Sequence, residues 1–299
     1  MSSLAQHPPL PATTGIGPVA LTVADLARSR SFYEGILGLR RWEERAGAVV
    51  LGSARAPLLE LVEHPGARPK PPGTTGLYHV ALLLPSRRDL GRLLRHLLER
   101  GYPLAGAADH LVSEAVYLAD PDRNGLELSC DRSPEQWPRV NGRLRMASDP
   151  LDLPGVLAAA EEAPWEGIAP ETRVGHLHLQ VGDLTLARRW YVDRIGFRIT
   201  AELPGALFLA AGSYHHHLGL NTWTSEHGPT APRRYGWAAL VYPPGPGGDR
   251  ARGPGQAPQR GRGGTPVGGR RVLGARPLGP PACGTRLKVD SGGERRLAE

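Results

Sequence analysis

Histidines and acids that could hold a metal ion fall at recurring places in this chain. His79 lies near the start of an apolar run, Gly76-Leu-Tyr-His-Val-Ala-Leu-Leu-Leu-Pro85, and Glu127 closes a later turn-and-strand segment, Asp120-Pro-Asp-Arg-Asn-Gly-Leu-Glu127. Imidazole and carboxylate are both good ligands for a divalent cation. His176 and His178 alternate along Gly175-His-Leu-His-Leu179, and His215, His216 and His217 run together before Leu218-Gly-Leu220. A polyhistidine run marks either a metal tract or an exposed edge. Here it sits inside a patterned segment read as a strand, so it is not an appended tag. Imidazole also exchanges protons near neutral pH, which suits acid–base work. Each group has a plainer reading. A histidine at a strand end is commonly a hydrogen-bonded structural residue, as His110 could equally be, and a glutamate after a turn can simply be solvated. No Ser-His-Asp order, phosphate-binding glycine loop or zinc-finger spacing competes with the metal chemistry.

The elements that must position these residues repeat. Asp25, Tyr33 and Gly38 recur as Asp183, Tyr191 and Gly196 at one common offset, inside the matching stretches Val19-Ala-Leu-Thr-Val-Ala-Asp25-Leu and Leu177-His-Leu-Gln-Val-Gly-Asp183-Leu. Each unit reads as a strand, a helix and then further strands. Val19 to Val23 alternates as a half-buried strand does. Asp25 stands at a helix N-cap. Leu26, Phe32, Tyr33 and Ile36 share a helical face, and Gly38 suits the left-handed end of that helix. Strands over Ala48 to Leu51 and Leu58 to Val62 complete the first unit. The second unit spans Gly76 to Arg132, with a helix over Arg87 to Arg100. The third spans Val174 to Trp223.

Between the second and third units, 133–173 reads as a Pro-rich linker with one helical segment, Pro154 to Glu162. A fourth unit begins at Gly236-Trp-Ala-Ala-Leu-Val-Tyr-Pro243 and then loses its pattern. From Pro243 to Pro281, 12 of 39 residues are Gly and 9 are Pro, a composition that cannot bury enough surface to offset its ordering entropy. A shifted reading frame over 244–282 would account for this. A natural disordered linker is the alternative. The expected organisation is therefore α+β: repeated βαβββ modules, three intact and a fourth degraded, forming open mixed-sheet cups. A disordered lead-in covers 1–14, modules one and two cover 15–132, module three and the start of four cover 174–243, and a tail covers 244–299.

The net charge of +7 belongs to that tail, where ten Arg and one Lys face two Asp and two Glu after Tyr242. The remainder balances, so no folded basic face argues for nucleic acid. No apolar run is long enough to span a bilayer, and the first residues lack the pattern of a signal peptide. Two distant cysteines, Cys130 and Cys283, fit a reduced, cytoplasmic protein. Nothing here opposes assembly as a homo-oligomer.

These residues resemble the vicinal oxygen chelate superfamily, which includes glyoxalase I, bleomycin resistance proteins and extradiol dioxygenases. More narrowly, Gly76 to Pro85, His110 to Asp122, Gly175 to Leu179 and Tyr214 to Trp223 are similar to the four-module bacterial catechol 2,3-dioxygenase type. The resemblance implies that two modules form a cup, each offering a ligand from its first and its last strand. Pairing modules one and two would gather His79, Glu127 and Glu60. Pairing two and three would gather His79, His176 and Glu127, a two-His, one-carboxylate set suited to non-heme Fe(II) or Mn(II), and is preferred. The resemblance further implies an acid–base histidine, best matched by His216 and next by His215, with His217 and His110 as substrate-binding residues. Extradiol cleavage of a small aromatic diol by O2 follows as the expected activity. A glyoxalase-type isomerase or thiol transferase, or a metal-free aromatic-binding protein, is the alternative.

Overall fold

The computed structural model describes residues 8–162 and 164–230, and the backbone of two later strands, Trp237–Tyr242 and Arg271–Leu273. The first unit is β1 (Gly15–Val23), α1 (Leu26–Gly35), β2 (Arg40–Arg45), β3 (Ala48–Gly52) and β4 (Pro57–Glu63). The second is β5 (Gly76–Leu84), α2 (Arg87–Glu99), β6 (Gly106–Asp109), β7 (Ser113–Ala119) and β8 (Gly125–Asp131). A small hairpin, β9 (Arg139–Val140) and β10 (Arg143–Leu144), and helix α3 (Leu153–Ala159) fill the connection. The third unit is β11 (Arg173–Gln180), α4 (Leu184–Arg188), β12 (Arg198–Leu203), β13 (Ala206–Ala210) and β14 (Leu218–Asn221), followed by β15 (Trp237–Tyr242) and β16 (Arg271–Leu273). The α+β repeat of βαβββ modules is therefore present. Among the described residues no helix is long and apolar enough to cross a membrane.

Local chemistry sets the helix starts. Asp25 Oδ1 accepts the Arg28 N–H at 2.9 Å, Ser86 Oγ accepts the Asp89 N–H at 3.2 Å, and Asp183 Oδ1 accepts two N–H groups, from Thr185 and Leu186. Each cap satisfies amides that have no intrahelical partner. Helix α2 buries Leu90, Leu93, Leu94 and Leu97 along one face, which docks it on β5 and β8. In the third unit α4 runs only five residues before passing into a π-helical turn, Arg189–Ile195, that ends at Gly196 with φ +97°. Gly38 likewise has φ +70°, and a Cβ there would lie 2.6 Å from Gly167 Cα. It thus meets a close approach as well as a left-handed turn.

Two sheets divide the units in a way their order along the chain does not. An eight-stranded sheet runs β12-β13-β14-β11-β5-β8-β7-β6, and a six-stranded sheet runs β16-β15-β1-β4-β3-β2. In every unit the first and last strands are parallel neighbours: β1 with β4, β5 with β8, β11 with β14. Units join by antiparallel pairing of their first strands, β5 with β11 in one sheet and β1 with β15 in the other. Unit two thus shares its sheet with unit three, across the expected boundary at 132, and unit one pairs with the opening strand of unit four. Glu60, the alternative carboxylate, consequently lies in the other sheet, on β4 opposite Ala20, where it forms an ion pair with Arg45.

Packing revises two expectations and adds a strand that no pattern marked. Residues 8–14, read as a disordered lead-in, contact module three: the Leu10 N–H donates to Gly196 O at 3.0 Å, and a Cβ on Gly212 would lie 2.8 Å from Ala12 Cα. Strand β2, Arg-Arg-Trp-Glu-Glu-Arg, carries no apolar alternation because it is a sheet edge, where charge keeps other chains from adding on. Within the Gly/Pro-rich tail, Arg271–Leu273 pairs with β15 as a short strand. The remainder of 244–282, with its reading-frame question, and the closing strand expected at Gly284 to Val289 lie outside the described residues.

The turn before β8 clamps units one and two together. Buried Asp120 accepts the Tyr33 hydroxyl at 2.9 Å and three donors from its own turn, at Asp122 and Asn124. Asp122 accepts the Ala24 N–H, the Ser29 hydroxyl and an Arg28 N–H, all from the start of α1. Without the Tyr33 hydroxyl, Asp120 Oδ2 would keep only one of its two donors, Asn124 Nδ2, and a hydrogen bond to a buried carboxylate would be lost. Tyr33→Phe is therefore expected to cost about 1–3 kcal/mol in urea unfolding, and an unchanged midpoint would show that this clamp contributes nothing.

Candidate metal centre and its cup

Side chains of one strand face alternate sides, so strand register decides which residues meet. Ala81 on β5 lies opposite His176 on β11 and opposite Glu127 on β8, while Glu127 lies opposite Tyr117 on β7. The next row across the same face places Phe208 against Gly219, Gly219 against His178, and His178 against His79. The first row therefore delivers His176 and Glu127 to either side of a single methyl group. The second row brings His79 up beside them.

His79 Nε2 lies 3.0 Å and His176 Nε2 3.3 Å from Glu127 Oε2, and the three ligand atoms fall within 4.8 Å of one another. All three residues are buried. The His79–Glu127 approach is close but not aligned as a hydrogen bond, and His79 Nε2 and Glu127 Oε1 have no hydrogen-bond partner. Buried polar atoms without partners are rare enough to call for an explanation. A cation placed among these lone pairs would satisfy them. Burial opposes the Glu127 charge, but the His176 and His79 imidazoles outweigh it and hold the carboxyl well below its usual range. Burial pushes the His79 imidazole down, toward the neutral form that ligates. The donor set thus fits a divalent ion.

The histidine triplet does not form a strand. Strand β14 starts at Leu218, and His215 to His217 lie in the irregular connection from β13. Alternation therefore does not apply, and His215 and His216 turn to the same side with their Nδ1 atoms 2.7 Å apart. The His216 ring lies 4.1 Å from that of His176, beside the candidate triad. His215 Nε2 lies 2.9 Å from Asp131 Oδ1, and Asp131 Oδ2 accepts the Tyr214 hydroxyl at 2.9 Å. His217 is held elsewhere. Its Nδ1 accepts the Ala211 N–H and its carbonyl accepts the Leu177 N–H, so it pins β14 to its neighbours rather than facing the cup. Burial brings its pKa down to about 4.

His110 reaches the site through Tyr117. Its Nδ1 lies 2.7 Å from the Ala147 carbonyl and must donate there, which leaves Nε2 to accept the Tyr117 hydroxyl at 2.5 Å. The Tyr117 ring lies 5.5 Å from that of His79. Burial, followed by the Glu127 charge, raises the phenol pKa far above its ordinary value, so Tyr117 keeps its proton. Tyr117 and Asp131 are site residues that sequence reasoning did not select. A signal for Tyr117 existed, since it sits on the strand preceding Glu127 within the stretch His110 to Asp122. For Asp131 only the fold supplies one.

His178 has a more specific environment than an alternating neighbour of His176. Its ring lies 4.9 Å from that of His79, its Nε2 has no partner, and burial pushes its pKa well down. A Cβ on Gly219 would fall 2.9 Å from this ring. Glycine at that last-strand position therefore makes room for His178.

Comparison with known proteins agrees with this construction. The Glyoxalase/Bleomycin resistance protein/Dioxygenase superfamily matches residues 15–128 and 173–255. A catechol-2,3-dioxygenase from Bacillus subtilis (strain 168) is 41% identical over 226 residues, spanning 73% of this chain and 78% of the relative. The crystal structure of a putative dioxygenase from Bacillus subtilis subsp. subtilis str. 168 superposes with a TM-score of 0.52 at 15% identity, over 74% of this chain and 68% of that one, a likeness of fold.

Adding a methyl group against the His178 ring should strain the cup. Gly219→Ala is expected to lose about 1–3 kcal/mol, as overpacked cores do, measured by chemical denaturation. Wild-type stability would mean that His178 has room to move aside.

Proposed function

We propose, since this chain belongs to the Glyoxalase/Bleomycin resistance protein/Dioxygenase superfamily, that it is a metal-dependent extradiol dioxygenase opening the ring of a small catechol-like aromatic with O2. The observation that carries this reading is the buried triad of His79, His176 and Glu127, with its unpartnered Nε2 and Oε1 atoms. Two neutral imidazoles and one carboxylate leave coordination positions open for a substrate with two adjacent oxygens and for dioxygen. Fe(II) is the ion this set suits best, and Mn(II) is the alternative. When bound, the ion supplies the electronic coupling between diol and oxygen that organic side chains cannot.

The protein's own groups then have assignable tasks. His79, His176 and Glu127 hold the ion. His215 donates from Nε2 to Asp131, so its Nδ1 accepts, and His216 accordingly carries its proton on Nδ1. That leaves His216 Nε2 as a lone pair beside His176, able to accept a hydroxyl proton from the diol and return it later. Asp131 and His215 act as positioning residues that fix this tautomer. Tyr117 keeps its proton, donates it to His110 Nε2 and packs its ring beside His79. The triad and His216 are buried, and exclusion of bulk water strengthens each polar interaction among them.

Metal content and oxygen uptake test the assignment together. Protein purified anaerobically with ferrous ion is expected to bind iron and, with catechol and oxygen, to form a yellow ring-opened product. Single alanine substitutions at His79, His176 or Glu127 should abolish bound iron, while Glu60→Ala should retain it. Iron retained by His176→Ala but lost by Glu60→Ala would move the site to the other pairing of units. His216→Ala should keep the metal and lower kcat by about 10²–10⁴-fold. An unchanged kcat would remove His216 from the proton-transfer role.

A further inference from the structure

We propose that Tyr78 and Trp223 form an aromatic rim on the cup that selects diols carrying a bulky apolar ring substituent. This rests on the dioxygenase reading and adds the substrate class to it. Tyr78 should face away from the cup, because it adjoins His79 in β5. It does not, since the β5–β11 ladder skips a residue: His79 lies opposite His178 and Leu77 lies opposite Leu179, leaving Tyr78 as the extra residue of a bulge. Bulges re-aim side chains near functional sites. The Tyr78 ring consequently lies 5.2 Å from that of His79 and 5.3 Å from that of His178.

Trp223 completes the rim from the far side of the sheet seam. It follows β14, its indole N–H donates to Pro204 O at 3.2 Å, and the ring lies over the Gly205 turn, where a Cβ would come within 3.1 Å. From there it contacts His178 at 5.5 Å and Tyr78 at 6.0 Å, edge to face with the latter. These separations are ordinary for interacting aromatic rings, about 4.5–7 Å. Yet Tyr78 is 43% exposed and Trp223 50% exposed. Two large apolar rings left half in water, beside a buried histidine without a partner at Nε2, form a prepared but unfilled contact surface. On the side of His79 away from Tyr117 and His176, the Tyr78 and His178 rings adjoin it and Trp223 lies beyond them, so a substituent on the diol is what would reach them. Tyr78 and Trp223 are uncharged aromatic rings, which favour an apolar substituent over an ionic one.

The test compares catechol with 4-tert-butylcatechol on the iron-loaded enzyme. The wild type is expected to show a kcat/KM at least tenfold higher for the tert-butyl diol, with most of the difference in KM. Trp223→Ala and Tyr78→Ala should each collapse that ratio toward one, and Trp223→Phe should preserve it. A purely structural loss would lower both substrates together and leave the ratio unchanged, which would overturn the proposal. Equal kcat/KM values for the two diols in the wild type would overturn it as well. If neither diol turns over, the dioxygenase reading fails and binding decides the rim separately. Anaerobic titration with 4-tert-butylcatechol should quench tryptophan fluorescence in the wild type and not in Trp223→Phe. No Trp223-dependent quenching would reject the rim.

Discussion

The antiparallel pairing of β5 with β11 is the interaction on which the rest of this molecule depends. It is a single ladder between the first strands of two units, and its register decides every neighbour in the cup. A slip of one residue would put His79 on the opposite face from His176 and His178, because the side-chain period of a strand is two. The apolar residues Leu77, Val80, Leu82 and Leu177 in the same strands are buried, so such a slip would also tear the core. Burial of the apolar face thus holds the imidazoles in place. The ligands need no rigidity of their own.

The cost of this arrangement is a cluster of buried polar groups. Unpaired, they would be expensive, and the structure treats them unequally. Asp131, Tyr214, His215 and His216 are joined in one hydrogen-bonded chain, and His110 and Tyr117 in another. His79 Nε2, Glu127 Oε1 and His178 Nε2 are left without partners. Satisfied groups surrounding unsatisfied ones is the signature of a site built for something that arrives from outside. The outer groups hold their geometry while the inner ones wait for a ligand.

Duplication gives the fold two versions of the same seam, and the candidate ligands lie at the β5–β11 one. The sheet of unit one and β15 repeats the seam, with first strands antiparallel and the last strand parallel to the first. In β1 the position matching His79 and His176 holds Pro18, and Glu60 on β4 faces solvent with Arg45 as its partner. Unit one serves instead as a support. Its helix α1 is clamped by Asp120 and Asp122, the residues that form the turn leading into the Glu127 strand. Packing at that clamp therefore bears directly on where the Glu127 carboxylate stands.

The sequence by itself determined the units, their order and their chemistry. Asp25 and Asp183 as caps, Gly38 and Gly196 as left-handed helix ends, and His79, His176 and Glu127 as candidate ligands are all legible there, because each follows from residue type and short-range spacing. Tertiary structure alone decided which units share a cup, since strand pairing between distant segments leaves no local mark. It also exposed what periodicity concealed. Charged β2 is a strand because it has a neighbour, Tyr78 faces the cup because the ladder slips, and His215 meets His216 because the backbone there is not extended. Asp131 and Tyr117 became site residues only once β7 and β8 were placed beside β5. The physical reason is common to all of these. Propensity and alternation are properties of a segment, whereas register, bulges and convergence belong to a pair of segments and exist only after folding brings them together.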